Sequence, residues 1–186
     1  MAENHDLAPI EVAGLRVVLE PRLYVASLRC FDRQGAFARA QLAITGVSLP
    51  DTLRALRTAE ETREAIILAW RGPTETLMIS AAEAPIETLQ GATTTLTDGC
   101  MVDQRGGALV IRAGGEAVTD IFARLGGQGA CPAIWESRRT RLADVAVLAV
   151  KVQPEETLLI VERSYAPHLM TAIRISAADL SIPLFC

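Results

Sequence analysis

Arg163, Ser164 and Tyr165 stand together in LLIVERSYAPHLMTAI, residues 158–173, where an apolar strand passes through a polar joint into helical spacing. Ser164, His168 and Asp179 have the residue types of a nucleophile, a base and an orienter. Ser164 and His168 share one predicted helical segment, however, and no G-x-S-x-G elbow sets a serine on a strand-to-helix turn, so hydrolysis by this set is not expected. SRRTRL carries Arg138, Arg139 and Arg141, whose planar guanidinium groups could grip a carboxylate or phosphate in pairs. This run is expected to be a solvated strand edge or the counterpart of a partner's acidic surface. AGGEAV and LGGQGA hold neither a dinucleotide fingerprint nor a Walker lysine, so turns and a helix end account for their glycines.

Of the two histidines, His5 lies in the N-terminal tail and His168 in the last predicted helix, too few for a multi-histidine metal centre. His168 is expected on a helix surface or at an interface. Cys30, Cys100, Cys131 and Cys186 are far apart in sequence and are expected as buried thiols in a reducing compartment. Trp70 and Trp135 are the largest apolar anchors and are expected to pack. No catalytic, cofactor-binding or metal-ligating residue is expected in this chain.

These residues sit in a chain of 186 residues that is 50% apolar and 22% charged, the profile of a folded domain. The net charge of −4 and an aromatic content of 4% argue against nucleic acid, which favours basic faces and stacking platforms. Lys151 is the sole lysine, so the other seventeen basic residues are arginines, the cation suited to interfaces. The N-terminus has no secretory pattern and no apolar run approaches the ~20 residues needed to cross a bilayer, so a cytoplasmic protein without a membrane segment is expected.

The elements that must position these residues follow from periodicity. LRVVLE, LYVASLRCF and FARAQLAI read as strands. A short helix is expected over 51–57, strands over 65–70 and 75–80 joined at Arg71, Gly72 and Pro73, and a helix from Pro85 stopped by Gly91. CMVDQRGGALVIRAGG predicts a hairpin over 100–113 around Gly106 and Gly107, and 115–125 an amphipathic helix stopped by Gly126. DVAVLAVKV and TLLIVE form a strand pair around QPEE, followed by a helix that Ser164 caps. The order predicts an α+β fold of mostly antiparallel sheets with packed helices in two similar halves, about 36–97 and 98–186. The segment 1–35 is expected to be partly disordered or ordered by a partner.

AWRGPTETLMI at 69–79, CMVDQRGGALVIRAGGEAVTDIFARLG at 100–126, TRLADVAVLAV at 140–150 and LLIVERSYAPHLM at 158–170 together resemble the gamma subunit of heterotetrameric sarcosine oxidase, over roughly residues 36–175. Trp70, Gly72, Pro73 and Leu77 match a Trp-Leu-Gly-Pro stretch, with Arg71 in place of its apolar residue and Thr76 in place of a second Trp. Asp103 and Gln104 match an Asp-Gln-Ser hairpin in which Arg105 replaces Ser. Thr140, Arg141 and Leu142 match a Thr-Arg-Leu strand entry, and Arg163, Ser164 and Tyr165 an Arg-Ser-Tyr joint.

The resemblance implies the fold of the folate-binding part of glycine-cleavage aminomethyltransferases and a structural subunit without a reaction of its own. It implies alpha, beta and delta partner subunits that hold FAD, FMN, NAD, tetrahydrofolate and zinc, in a complex oxidising sarcosine to glycine with release of hydrogen peroxide and one-carbon transfer to tetrahydrofolate. Trp70, Arg141, Arg163 and Tyr165 are the expected interface anchors, since affinity concentrates in buried aromatic and Arg side chains. A free-standing folate-binding aminomethyltransferase would instead need an acidic residue against the pterin ring, for which Asp98 and Asp103 are the candidates. An orphan binding module that self-associates when isolated is the third reading.

Overall fold

The computed structural model describes residues 7–58 and 65–180; His5 and Cys186 lie outside them. In chain order the elements are β1 (Ile10–Val12), β2 (Leu15–Leu19), β3 (Tyr24–Cys30), α1 (Ala36–Thr45), β4 (Ala55–Arg57), β5 (Ile66–Gly72), β6 (Glu75–Ser80), α2 (Ala84–Thr93), β7 (Gly99–Asp103), β8 (Ala108–Gly114), α3 (Val118–Gly126), β9 (Ser137–Leu142), β10 (Val145–Gln153), β11 (Glu156–Glu162), a 3-10 turn at Arg163–Tyr165, and α4 (Ala166–Leu180). The fold is α+β with two antiparallel sheets, as the sequence predicts.

The chain divides into two units. The first takes residues up to Glu20, Leu109–Ile134 and everything from Arg138 onward; the second takes Pro21–Ala108 with Trp135–Ser137. The first unit carries the six-stranded sheet β1-β2-β8-β11-β10-β9. Val17, Ile111, Ala113, Val147, Ala149, Leu159 and Val161 alternate along its strands and pack with Ile121 and Phe122 of α3 and Leu169, Met170 and Ile173 of α4. The helical spacing of those last five residues buries one face of each helix. On the opposite sheet face Leu148, Val150, Leu158 and Ile160 are also buried, and Arg112 pairs with both Glu20 and Glu156.

The second unit carries the five-stranded sheet β4-β5-β6-β3-β7. Ala26, Leu28, Leu68 and Met78 pack with Phe37 of α1 and Ile86 and Leu89 of α2. Strands β5 and β6 are joined through a bulge between Trp70 and Gly72, beside the predicted Arg71, Gly72, Pro73 turn.

Several elements differ from the sequence expectation. FARAQLAI forms helix α1, not a strand: Phe37, Ala38, Gln41 and Thr45 are its buried residues, at helical spacing, while Leu42 is exposed. Its three alanines, with Ala36 before them, are the strongest helix formers, and they prevail over an alternation that also fits period two. The expected helix over 51–57 is a turn closed by Arg54 N–H on the Asp51 carbonyl, then strand β4. Gly91 lies inside α2, which runs on to Thr93.

The 100–113 hairpin does not form. β7 pairs with β3, while β8 pairs with β2 in the other sheet. A two-residue hairpin turn of the Gly-Gly type needs positive φ at both residues, and neither Gly106 nor Gly107 has it; a turn closed by Gly107 and Ala108 N–H on the Gln104 carbonyl stands there instead.

The expected division at 36–97 and 98–186 also gives way. β3, inside the expected N-terminal segment 1–35, is an interior strand between β6 and β7, and β1 and β2 extend the first unit's sheet from β8. Strand pairing between distant segments, which no local pattern encodes, sets these boundaries.

Candidate functional site

The Arg-Ser-Tyr joint follows from the end of β11. Glu162 is still extended, the 3-10 turn Arg163–Tyr165 follows, and Ala166 enters α4 with its N–H on the Arg163 carbonyl. Ser164 lies inside the turn and is not the cap expected of it; the turn begins at Glu162 without a side-chain cap hydrogen bond. Ala166, Leu169, Met170, Ile173 and Ala177 are buried in the core, which turns Arg163, Ser164, Tyr165 and His168 outward. Tyr165 is 53% exposed, so it is not a core residue. Ile175, 64% exposed on the same helix, is an apolar surface residue that the sequence reading missed; its signal is its place off the stripe formed by 166, 169, 170, 173 and 177.

Arg141 belongs to β9, the terminal strand of the first unit's sheet, so SRRTRL is a strand edge as expected. Leu142 is buried in the core, which by alternation puts Arg138 and Thr140 on the helix side and Arg139 and Arg141 on the other. Arg138 Nη1 donates to the Gly129 carbonyl and Arg141 Nη2 to the Asp144 carbonyl at 2.6 Å. Ala143 and Asp144 both have positive φ, 48° and 64°, the conformation of a two-residue turn whose twist suits β9 and β10. Gly126 ends α3 against this strand: a Cβ there would lie 2.6 Å from the Arg141 carbonyl oxygen, so no larger residue fits.

Trp70 belongs to the second unit, half-buried on β5. Its N–H donates to the Arg54 carbonyl, and its own carbonyl accepts from Ser137 Oγ at 2.6 Å. Beside it, Glu75 accepts from Arg71 at 2.8 Å and from the buried Ser27 hydroxyl at 2.7 Å. Trp70 and the group Arg141, Arg163 and Tyr165 thus sit in different units.

The two carboxylates considered for a pterin are committed elsewhere. Asp98 Oδ2 accepts the Phe37 N–H at 3.0 Å and caps α1, whose N-cap Gly35 has no side chain to do so. A Cβ on Gly35 would lie 2.0 Å from that same oxygen, so the glycine and the distant aspartate fit only as a pair. Asp103 accepts Arg105 N–H at 2.8 Å and Arg105 Nε at 2.6 Å. Neither carboxylate fits the role of a free pterin partner.

The nucleophile set does not assemble. Ser164 lies in the turn, while His168 and Asp179 are both exposed on α4 and eleven residues apart, about 16 Å along the axis. Of the cysteines expected to be buried, Cys30 is buried, Cys131 half-buried and Cys100 exposed on the edge strand β7, where its side chain points away from the core. Burial pushes the Cys30 thiol above its ordinary range. Trp135 has positive φ in a segment whose carbonyl accepts Ala55 N–H. Among the described residues no three His, Cys, Asp or Glu side chains gather as metal ligands would, and no helix is long and apolar enough to cross a membrane.

No family model matches the chain, and no curated protein matches it in sequence. Solved structures do. A chain of the heterotetrameric sarcosine oxidase from Corynebacterium sp. U-96, solved in complex with pyrrole 2-carboxylate, superposes with a TM-score of 0.81 at 20% identity, over 92% of this chain and 88% of that one. Glycine cleavage system aminomethyltransferase T from Bartonella henselae superposes with a TM-score of 0.65 at 10% identity, over 86% of this chain and 45% of that one. The present chain therefore has the fold of that oxidase chain and of a portion, less than half, of the aminomethyltransferase.

Proposed function

We propose that the chain is a non-catalytic structural subunit of gamma type in a heterotetrameric sarcosine oxidase-like complex. In this reading the complex demethylates sarcosine oxidatively to glycine, releases hydrogen peroxide and passes the one-carbon unit to tetrahydrofolate. FAD, FMN, NAD, tetrahydrofolate and zinc belong to alpha, beta and delta partners, and this chain contributes contacts through Trp70, Arg141, Arg163 and Tyr165. The observation that carries the reading is the superposition on a chain of such a heterotetramer along about nine-tenths of both. The engagement of Asp98 and Asp103 in structural hydrogen bonds supports it over a free-standing folate-binding transferase.

Affinity purification of the tagged chain from its native cells tests the proposal, with the co-purifying polypeptides identified and flavin absorbance and sarcosine turnover measured. The expected result is a flavoprotein partner at fixed stoichiometry, turnover by the complex, and neither flavin nor turnover with the chain alone. Sarcosine oxidation or stoichiometric flavin in the isolated chain would overturn the reading, as would saturable binding of tetrahydrofolate to it. Within that complex, Tyr165→Ala is expected to weaken association about 30-fold or more, the ~2 kcal/mol of an anchor residue. Because Tyr165 is half-exposed, the isolated fold is expected to lose less than about 0.5 kcal/mol. A large drop in melting temperature with unchanged affinity would make the joint a structural corner.

A further inference from the structure

Lys151 is the sole lysine of a chain that carries 22 acidic residues. Among the described residues its ammonium meets no carboxylate at ion-pair distance. Its partner is a thiol: Nζ lies 4.0 Å from Cys131 Sγ, twenty residues earlier in the chain. Cys131 is free of any disulfide and half-buried, as Lys151 is.

The first unit's fold brings the two together. Lys151 continues the row of Val147 and Ala149 on the helix side of β10, and a parallel bridge from Ile134 to Lys151 lays the segment that follows α3 beside it. Cys131 belongs to that segment, outside helix and strand, and packs against the same core. Its Sγ also lies 3.7 Å from the Pro132 carbonyl oxygen. Directly opposite Lys151 on β11, on the same sheet face and about 5 Å away between Cβ atoms, stands Thr157. Thr157 is fully buried and its hydroxyl has no hydrogen-bond partner among the described residues. An amine, a free thiol and an unpaired hydroxyl therefore share one pocket of the sheet face, without the carboxylate that a structural ion pair would need.

We propose that Cys131 and Lys151 are a redox switch, which hydrogen peroxide closes into a covalent sulfur–nitrogen link. The Cys131 sulfur, its proton given up to water, attacks one peroxide oxygen; the O–O bond breaks, a sulfenic acid forms and the other oxygen leaves as water. The Lys151 amine, after releasing its extra proton to solvent, then attacks the sulfur; the S–N bond forms, the S–O bond breaks, and that oxygen also leaves as water. One thiol, one amine and one peroxide thus give one S–N bond and two waters, with sulfur oxidised by two electrons and the peroxide reduced by the same two. Sulfenic acids condense with nitrogen in this way, and a small thiol reverses the link by attacking the sulfur and releasing the amine. The flexible four-carbon stem of Lys151 closes the gap. The Thr157 hydroxyl and the Pro132 carbonyl are polar partners for the peroxide and the departing water. The inference goes beyond the proposed subunit role and does not depend on it, although a complex that releases hydrogen peroxide would supply the oxidant.

The test treats the full native chain with hydrogen peroxide, unfolds it, and digests it with a lysine-specific protease. Because Lys151 is the sole lysine, the untreated chain is cut once, into 1–151 and 152–186. The linked chain is expected to resist that cut and to be lighter by two hydrogen atoms, and dithiothreitol is expected to restore both. Oxidation of Cys30 or Cys100 leaves the lysine cleavable, so the digestion reads this pair alone. Cys131→Ser is expected to be cut in full after peroxide. Lys151→Arg, which keeps the charge, is expected to gain oxygen at Cys131 and lose no hydrogen. Since the link closes a loop of some twenty residues, the melting temperature is expected to rise by about 5 °C or more in the natural chain and in neither variant.

Full cleavage of a chain whose Cys131 has been oxidised would overturn the switch, as would resistance that persists in Cys131→Ser. Linking in denaturant within ten-fold of the native rate would also overturn it, because the fold would then contribute no proximity. Since the peroxide is added, failure here refutes this inference and leaves the oxidase reading standing. A link that forms in a chain without any oxidase partner refutes that reading and keeps the switch.

Discussion

Both units lay two helices on one face of an antiparallel sheet, yet they are assembled and held differently. The second unit folds from one continuous run, Pro21–Ala108, joined by the three residues Trp135–Ser137, while the first gathers three separated runs of chain. Among the described residues, seven of the nine buried polar ones belong to the second unit: Ser27, Gln41, Thr45, Thr76, Ser80, Thr93 and Ser137. The first unit, with Thr157 and Ser176 only, relies on a larger apolar cluster. The difference teaches that the same architecture can be specified by shape or by directional bonds. Apolar packing is non-directional and tolerates distant segments, whereas buried hydrogen bonds fix local geometry and are costly when broken.

The strongest way to break this comparison is to open one core and watch the other. Phe122→Ala in the first unit and Phe37→Ala in the second each remove a fully buried ring and are expected to cost about 3–5 kcal/mol. Hydrogen exchange should show the first variant loosening β8, β10, β11 and α4 ahead of β3, β5 and β6, and the second the reverse. Uniform loss of protection in both would mean that the two units unfold as one and that the contrast has no energetic content.

Ser137→Ala probes the second unit's dependence on directional bonds. The Ser137 hydroxyl lies 2.6 Å from the Trp70 carbonyl and 3.1 Å from the Arg54 carbonyl; its loss removes a donor from Trp70, while Arg54 keeps the Trp70 N–H, at an expected cost of about 1 kcal/mol. Chemical denaturation checks it; a cost below a few tenths would show that water replaces the hydroxyl easily.

Asp98→Ala should cost about 1 kcal/mol, the ordinary value of a lost helix cap. The cycle with Gly35→Ala sharpens the point: the glycine change should be far less harmful when Asp98 is already alanine, because the 2.0 Å clash is gone. Additive effects would show that Asp98 does not cap α1 from across the chain.

The smallest expected effect concerns pH. Burial raises the Cys30 thiol above its ordinary value, so the folded state holds its proton after the unfolded state has lost it. Below about 8.5 both states are protonated and nothing changes; above it the unfolded chain ionises first and stability falls until the folded thiol also ionises. Denaturation midpoints from pH 7 to 10 should therefore fall more steeply in the natural chain than in Cys30→Ala. Alkylation should reach exposed Cys100 in the native state and Cys30 only when the second unit opens; equal rates would refute this account.

Much of the fold was legible because it is written in local periodicity. β10 and β11 are near-continuous apolar runs around a polar turn, and α3 places Val118, Ile121 and Phe122 on one face within a short window. FARAQLAI was misread because its residues satisfy both periods, and the contact that helps settle it comes from Asp98, sixty-one residues from Phe37. SRRTRL was readable as an edge because no core strand could bury three arginines unpaired. Tyr165 could be read as core or surface until α4 turned its buried stripe away from it.

The sequence by itself determined the α+β class, most of the strands, the helices α2, α3 and α4 and the arginine-bearing edge, since each depends on residue types spaced within one or two turns or pleats. Only the tertiary structure decided that β7 and β8 part into separate sheets, that β1 and β2 join a sheet completed some 140 residues later, and that Asp98 caps α1 from sixty-one residues away. The physical reason is common to all three. Pairing between distant strands and the capture of a polar group are chosen among competing partners once the chain has collapsed, and the free energies that decide them lie in contacts no local window contains.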